Sequence, residues 1–153
     1  AGNLPLASSD LSSIVSSFGG TAAGQEAQLL LGEVRLRQGQ AALAVTELQR
    51  FVDGGPSLEY RAQAYDLLGV ALEQTGQLMA AGSAFERGAD AAGQAQYGLM
   101  SANMLLNAGR SYAAAGDTTA AIRALERVLA DHEETTAASE AKLRLAELGR
   151  YES

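Results

Sequence analysis

The chain has 153 residues, of which 47% are hydrophobic and 19% are charged, so it can bury a core and is not disordered. It contains no cysteine, which excludes disulfide scaffolds, thiolate zinc sites and thiol nucleophiles. The net charge of −7 has the wrong sign for a phosphate-binding surface, so we expect no nucleic-acid partner. No apolar run approaches the roughly 18 residues of a spanning helix, and we expect no membrane insertion by this chain.

Apolar residues recur at three- and four-residue steps, as at Val45, Leu48, Phe51 and Val52. This spacing is typical of one face of an α-helix and not of strand alternation. Turns are indicated by small and polar clusters such as residues 54–57. The sequence therefore predicts an all-α fold with eight helices, in chain order over residues 5–17, 22–38, 41–53, 58–75, 78–91, 95–115, 118–131 and 136–149.

Three segments of the chain repeat one pattern, in which two glycines lie seven residues apart. An alanine follows five residues after the second glycine, and a large apolar residue four residues after that. The first glycines of successive units are separated by 37 and then 40 residues. The first unit contains Gly32, Gly39, Ala44 and Leu48; the second Gly69, Gly76, Ala81 and Phe85; the third Gly109, Gly116, Ala121 and Leu125.

Each unit of this pattern predicts a pair of antiparallel helices. The second glycine lies where the first helix must stop, and it can adopt the left-handed conformation after the helix end. The first glycine and the following alanine are small, and we expect two helices to cross there. The predicted pairs occupy residues 22–53, 58–91 and 95–131, followed by an unpaired helix over 136–149. The three extra residues of the third unit fall between Gly93 and Asn107, so helix 95–115 is expected to be the longest or to carry a bulge.

The two ends of the chain continue the same series. Residues 1–3 (Ala-Gly-Asn) align with residues 115–117 (Ala-Gly-Asp), and the register holds through Leu31 and Leu145. Helix 5–17 is therefore predicted to be the second helix of a unit whose first helix precedes Ala1, and we expect the sequence to be part of a longer protein. Both ends of the array would then be uncapped, and exposed apolar ends favour end-to-end contacts such as a homodimer.

These residues resemble the tetratricopeptide repeat, and the resemblance covers essentially the whole chain. The period is longer than the usual repeat of about 34 residues, the first-helix Trp is absent, and Arg35 stands where Tyr is usual. The resemblance implies a right-handed solenoid of helix pairs that is not an enzyme, needs no cofactor and binds a protein in its concave groove.

The long period and turns such as residues 51–57 resemble the bacterial cell-envelope branch of that family. That branch includes the ancillary subunit of the Sec translocon, the Tol–Pal-associated cell-division coordinator and the lipoprotein of the barrel-assembly machinery. The resemblance implies a periplasmic or envelope-associated location, with a cytoplasmic one left open.

Candidate catalytic and metal sites are few. His132 lies among acids, but an HExxH-type zinc site needs a second histidine one turn on, and the sequence has none. We therefore predict that His132 lies in a solvated turn. Residues 109–113 come nearest to a nucleophile elbow, but they lack its second glycine and fall inside a predicted helix. The sequence thus predicts no catalytic, cofactor or metal site.

The groove positions of tetratricopeptide proteins precede and follow the first conserved glycine. In this chain they comprise six acids, two arginines and five larger apolar residues. We expect them to bind a basic and apolar segment, helical or extended. Relatives that grip a C-terminal carboxylate carry Lys and Asn where this chain has Leu29 and Glu33, so no carboxylate clamp is predicted. The groove residues carried over are Glu26, Leu29, Glu33, Leu36, Gln63, Asp66, Val70, Glu73, Asn103, Leu106, Arg110, Ala113, Glu140, Leu143, Glu147 and Arg150.

Three functions remain to be distinguished. The first is a protein–protein interaction scaffold that uses the groove, and the second is a self-assembly module that uses the uncapped ends. The third, a hydrolase or metal enzyme, would need a bound metal or an acid pair about 5–10 Å apart. We expect the first of these.

Overall fold

The structure is a computed structural model that describes residues 3–150. Within that range the chain forms α-helices joined by short turns and contains no strand, which confirms the predicted all-α fold with eight helices. The helices are α1 (Leu4–Phe18), α2 (Ala22–Arg37), α3 (Ala41–Asp53), α4 (Leu58–Gln74), α5 (Leu78–Gln94), α6 (Gly98–Ala114), α7 (Thr118–Asp131) and α8 (Thr136–Glu147). Each helix packs on the next one along the chain, α2 also packs beside α4, and α6 packs beside α8.

The glycine-based helix ends form as predicted. Gly39, Gly76 and Gly116 have φ angles of 72°, 76° and 85°, the left-handed conformation that glycine adopts without a steric cost. After α2, Gly39 N–H donates to Leu36 O at 3.0 Å and Gln40 N–H donates to Arg35 O at 2.9 Å. These two bonds define a Schellman motif, which satisfies carbonyls that the helix end leaves free.

The first glycine of each unit lies where two helices cross, as predicted. A Cβ atom on Gly69 would lie 2.5 Å from Cε1 of Phe85, and one on Gly109 would lie 2.7 Å from Cγ of Leu125. The equivalent atom on Gly32 would lie 2.9 Å from Cδ2 of the Leu48 side chain. Each glycine therefore faces the large apolar residue of its own unit, and the alanines at 44, 81 and 121 are fully buried nearby.

The three extra residues lie in α5 and not in α6. Helix α5 has 17 residues, compared with 13 in α3 and 14 in α7. Helix α6 has 17 residues, the same length as α4 and α5, and is one uninterrupted α-helix, so it shares the greatest length and carries no bulge. The added turn of α5 buries Ala91 and Ala92. After the helix, Gln96 occupies the position that Gly39 occupies after α2, and it is a non-glycine residue with a φ of 63°.

The register shared by the two ends of the chain is visible in their helix caps. The Asn3 side chain accepts a hydrogen bond from Leu6 N–H at the start of α1, and Asp117 accepts one from Ala120 N–H at the start of α7. Both residues stabilise the first turn by satisfying a free donor. Residues 1 and 2, which belong to the same alignment, lie outside the described residues.

The core consists of two adjoining apolar clusters, one built mainly from α2 to α7 and the other from α4 to α8. It contains many alanines and few large side chains, among which Phe85, Leu68 and Leu105 are fully buried. Small residues permit the close helix approach that such a stack requires. No helix between residues 3 and 150 combines the length and apolar character needed to cross a bilayer.

Candidate functional site

Two adjoining cavities lie on the first helices of the units, which line the concave surface of a solenoid. The α4–α6 cavity has a volume of about 730 Å³, and the α2–α4 cavity has a volume of about 480 Å³. Glu59, Gln63, Asp66 and Met100 belong to both, so the cavities form one continuous groove. The α4–α6 cavity is also lined by Tyr97, Gly98, Leu99, Asn103, Met104 and Asn107, and the α2–α4 cavity by Glu26, Leu29, Leu30, Glu33, Tyr60 and Leu67.

The α4–α6 cavity is bounded at one end by a contact between the helices. Ser111 Oγ–H donates to Glu73 Oε1 at 2.6 Å, and Arg110 lies 3.5 Å from the same carboxylate oxygen. This contact joins the C-terminal halves of α4 and α6. The cavity lies beside their N-terminal halves, where α6 begins only after the extra turn of α5 and Gln96.

The two walls of the α4–α6 cavity differ in chemistry. The α6 wall is largely apolar: Met104 is buried, Met100 is half-buried and Leu99 remains 60% exposed. The α4 wall contributes the carboxylates of Glu59 and Asp66. A ligand of this cavity therefore meets an apolar surface on one side and negative charge on the other.

The groove as a whole is negative. Among the residues that the structure describes, its lining has four acids, Glu26, Glu33, Glu59 and Asp66, and no Arg or Lys. Glu33 forms an exposed ion pair with Arg37 of its own helix at 2.6 Å. In the described part of the chain the other three acids have no ion-pair partner.

Asp66 lies at the boundary between the two cavities. Burial raises the pKa of its carboxyl group above the usual value, and the nearby charge of Glu73 raises this pKa further. Both effects disfavour the carboxylate relative to the neutral acid. A cation placed in the groove would oppose them and would therefore interact favourably with this residue.

Six of the predicted groove residues come together in these cavities. These six lie on α2, α4 or α6, the helices that the repeat register assigned to the concave surface. The residues so placed are Glu26, Leu29, Glu33, Gln63, Asp66 and Asn103.

The remaining predicted groove residues lie outside the two cavities. Leu36, Val70 and Leu106 are half-buried and pack against the core. Glu73 and Arg110 contact each other, and Ala113 is exposed. On α8, Leu143 is exposed, Glu140 and Glu147 pair with Arg144, and Arg150 pairs with Glu126. That any of these residues contacts a partner stays a prediction.

The sequence interpretation missed several lining residues near the helix starts. Glu59 lies one turn before Gln63 on α4, and Leu99 lies one turn before Asn103 on α6. Extending the predicted helix face by one turn would have found both, because residues four apart share a face. Tyr97 gave no such signal, since it lies in the turn before α6 whose position depends on the length of α5.

His132 differs from the expected solvated turn residue. It follows α7 as predicted, but it is half-buried, and its Nε2 lies 3.2 Å from Ser101 Oγ. The only hydroxyl hydrogen of Ser101 is donated to Ala89 O at 2.9 Å, so Nε2–H of His132 is the donor to Ser101. The histidine thus links the α7–α8 turn to α6 and α5. Between residues 3 and 150, no group of three histidine or carboxylate side chains is placed to hold a metal ion.

The stacked helix pairs and their continuous groove define a helical-repeat solenoid of the protein-binding class. Two tetratricopeptide repeat family models match the sequence, one over residues 29–96 and the other over residues 104–135. The chain therefore belongs to the tetratricopeptide repeat family, whose members are in general scaffolds for protein–protein interaction.

A solved structure supports the same fold. The crystal structure of MamA aligns with 92% of this chain and 77% of that chain, with a TM-score of 0.64 and 22% sequence identity. At this identity the similarity shows the solenoid fold alone. A comparison with curated proteins found no match.

Proposed function

We propose that the protein is a non-enzymatic scaffold that binds a basic and apolar partner segment in its concave groove. The observation that carries this proposal is the composition of the groove lining, which has four acids, no basic side chain and an apolar wall on α6. Opposite charge across an interface steers association and excludes wrong partners. A preformed groove also limits the ordering cost to that of the partner segment.

We further propose that the protein acts in an assembly or secretion process of the bacterial envelope. This part rests on the long repeat period and on the turn sequences, which resemble the cell-envelope branch of the family. Cell fractionation of the source bacterium, with an antibody against the chain, tests it. Recovery in the envelope or periplasmic fraction is expected, and recovery with cytoplasmic markers alone would contradict it.

The binding proposal is tested with short fluorescent peptides and a charge-neutralised groove. The groove variant carries Glu26→Gln, Glu59→Gln and Asp66→Asn, which preserve side-chain shape while removing three charges. A matched control carries Asp131→Asn, Glu133→Gln and Glu134→Gln, three exposed acids around the α7–α8 turn. Anisotropy titrations compare an Arg/Leu peptide with an otherwise identical Glu/Leu peptide.

We expect the parent chain to bind the Arg/Leu peptide and not the Glu/Leu peptide. Exposed ion pairs contribute about 0.2–1 kcal/mol each, so losing three weakens binding by roughly tenfold. The control variant should retain the parent affinity within about twofold, allowing for the change in long-range attraction. Equal losses in both variants would show general charge attraction and would contradict a groove site.

A second candidate function is self-assembly through the solenoid ends. It is favoured by Leu6, Ile14 and Phe18, which are exposed and lie on one side of α1. Light scattering over a wide concentration range tests it, with Leu6→Ser and Phe18→Ser as the variant. A dimer mass that the variant loses would support self-assembly, whereas a monomer mass at high concentration would exclude it.

A further inference from the structure

The two cavities of the groove differ in their lining, so they would bind different side chains of the partner. This inference rests on the proposed function. We propose that the α4–α6 cavity receives a large apolar side chain of the partner, while the α2–α4 cavity receives a basic side chain three residues away in an extended, polyproline II-like segment. The residues at the boundary would then contact both side chains.

The distribution of charge assigns the two side chains to their cavities. All four lining acids border the α2–α4 cavity, and two of them, Glu26 and Glu33, border that cavity alone. The α4–α6 cavity has no acid of its own beyond the shared Glu59 and Asp66. An ammonium or guanidinium group is therefore most stabilised on the α2 side.

The apolar lining side chains favour the α4–α6 cavity as the site for the apolar side chain of the partner. Leu99, Met100 and Met104 follow one another along the α6 wall, and the cavity that they line is the larger one, at about 730 Å³. Methionine side chains adapt to ligands of different shape. Leu99 is 60% exposed, so a side chain that covers it removes apolar surface from water.

The spacing of the cavities favours an extended segment over a helix. One cavity lies between α2 and α4 and the other between α4 and α6, and we take the distance between their bound side chains as about one interhelix distance, roughly 10 Å. In polyproline II geometry, residues three apart point to the same side and are separated by about 9.3 Å, since each residue rises about 3.1 Å. A helix spans the same distance only over six or seven residues.

The position of the apolar cavity follows from the extra turn of α5. That turn and the left-handed Gln96 set where α6 begins, and residues 97–99 then border the opening. The contact between Glu73 and Ser111 holds α4 and α6 together beyond the cavity. The insertion that lengthens α5 therefore precedes the residues that form the apolar end of this groove.

The test is a peptide series measured by fluorescence anisotropy against the full chain. In an otherwise Gln/Ser host, one Leu and one Arg are placed one, two, three, four or seven residues apart, in both orders. We expect the three-residue spacing to bind at least fivefold more tightly than the one-residue and seven-residue spacings. A maximum at seven would show a helical ligand and would overturn the proposal.

Protein variants assign each side chain to its cavity. Leu99→Ala removes part of the apolar wall, and Leu43→Ala is its matched control, because Leu43 on α3 is also exposed and lines neither cavity. Leu99→Ala should weaken binding of the Leu/Arg peptide about fivefold. It should not change binding of the peptide in which Ser replaces that Leu. Glu26→Gln should weaken binding of the same peptide two- to fivefold. It should not change binding of the peptide in which Gln replaces the Arg, as a double-mutant cycle requires if the two side chains interact.

Failure of this inference is distinguishable from failure of the proposed function. If Leu/Arg peptides bind without a spacing preference and Leu99→Ala matches Leu43→Ala, the groove binds basic and apolar segments but the two-cavity assignment is wrong. If no peptide binds at any spacing, both proposals fail. Far-UV circular dichroism of each variant establishes that the helices are intact.

Discussion

Adding one methyl group at Gly69 tests the helix crossing that shapes each repeat. In Gly69→Ala the new Cβ would lie 2.5 Å from Cε1 of Phe85 and 2.7 Å from both Cδ1 and Cζ. Contacts this short require movement, and Phe85 is fully buried with a ring that has no flexible end to turn aside. The substitution therefore forces α4 and α5 apart or moves the ring out of its preferred position.

Two opposing effects determine the magnitude. Overpacking of a core costs about 1–3 kcal/mol, and a rigid aromatic ring places Gly69→Ala in the upper half of that range. Replacing glycine by alanine inside a helix recovers about 1 kcal/mol. The free energy of unfolding should therefore fall by about 1–2 kcal/mol, which lowers the melting temperature by roughly 2–8 °C.

Urea unfolding followed by circular dichroism measures this change, with Gly93→Ala as the matched control. Gly93 also lies in a helix, but a Cβ there would meet only Ser101 Oγ at 3.7 Å, an ordinary contact. The control should therefore be stabilised by up to about 1 kcal/mol. Replacing the ring by a smaller side chain, with Phe85→Leu in the Gly69→Ala background, should lower the free energy of unfolding by less than the sum of the two single changes. The crossing argument is refuted if Gly69→Ala and Gly93→Ala change stability in the same direction.

Three further predictions concern single side chains. Gln96→Gly should raise the free energy of unfolding, measured in urea, by about 0.5–1 kcal/mol. The left-handed conformation costs a non-glycine residue about 1–2 kcal/mol, and the greater flexibility of glycine in the unfolded chain offsets part of the gain. A loss of stability would contradict this prediction. Asp66→Asn should be more stable than the parent at pH 7, since the raised pKa means that folding disfavours the carboxylate. That advantage should shrink as the pH falls through the raised pKa and vanish below the ordinary value of 3.8, whereas a pH-independent difference would show another cause. Ser111→Ala should lower the free energy of unfolding by about 1–3 kcal/mol, because it removes the 2.6 Å hydrogen bond to the half-buried Glu73 carboxylate. The same loss in a Glu73→Gln background would show that this hydrogen bond is not responsible.

Local chemistry explains why the fold was predictable from the sequence. Gly39 and Gly76 are required where a helix must end in the left-handed conformation, and Gly69 is required where Phe85 fills the crossing. Both requirements leave a glycine at a fixed spacing, so the helix pairs could be counted before their contacts were known. The caps at Asn3 and Asp117 follow the same logic, because a polar side chain at a helix start satisfies a backbone donor of its own first turn.

The site was only partly predictable, because its shape depends on contacts between distant residues. The sequence alone determined the all-α repeat, the helix starts and stops to within a few residues, and the acids on the first helices. Only the tertiary structure decided that the extra residues lengthen α5, that Gln96 and not a glycine adopts the left-handed conformation after it, and that His132 bonds to Ser101. It also decided which acids share a cavity with Leu99, since that depends on the angle at which α6 packs after its turn. The physical reason is that glycines and caps act within a few residues of the chain, whereas a groove forms where side chains from separate repeats meet.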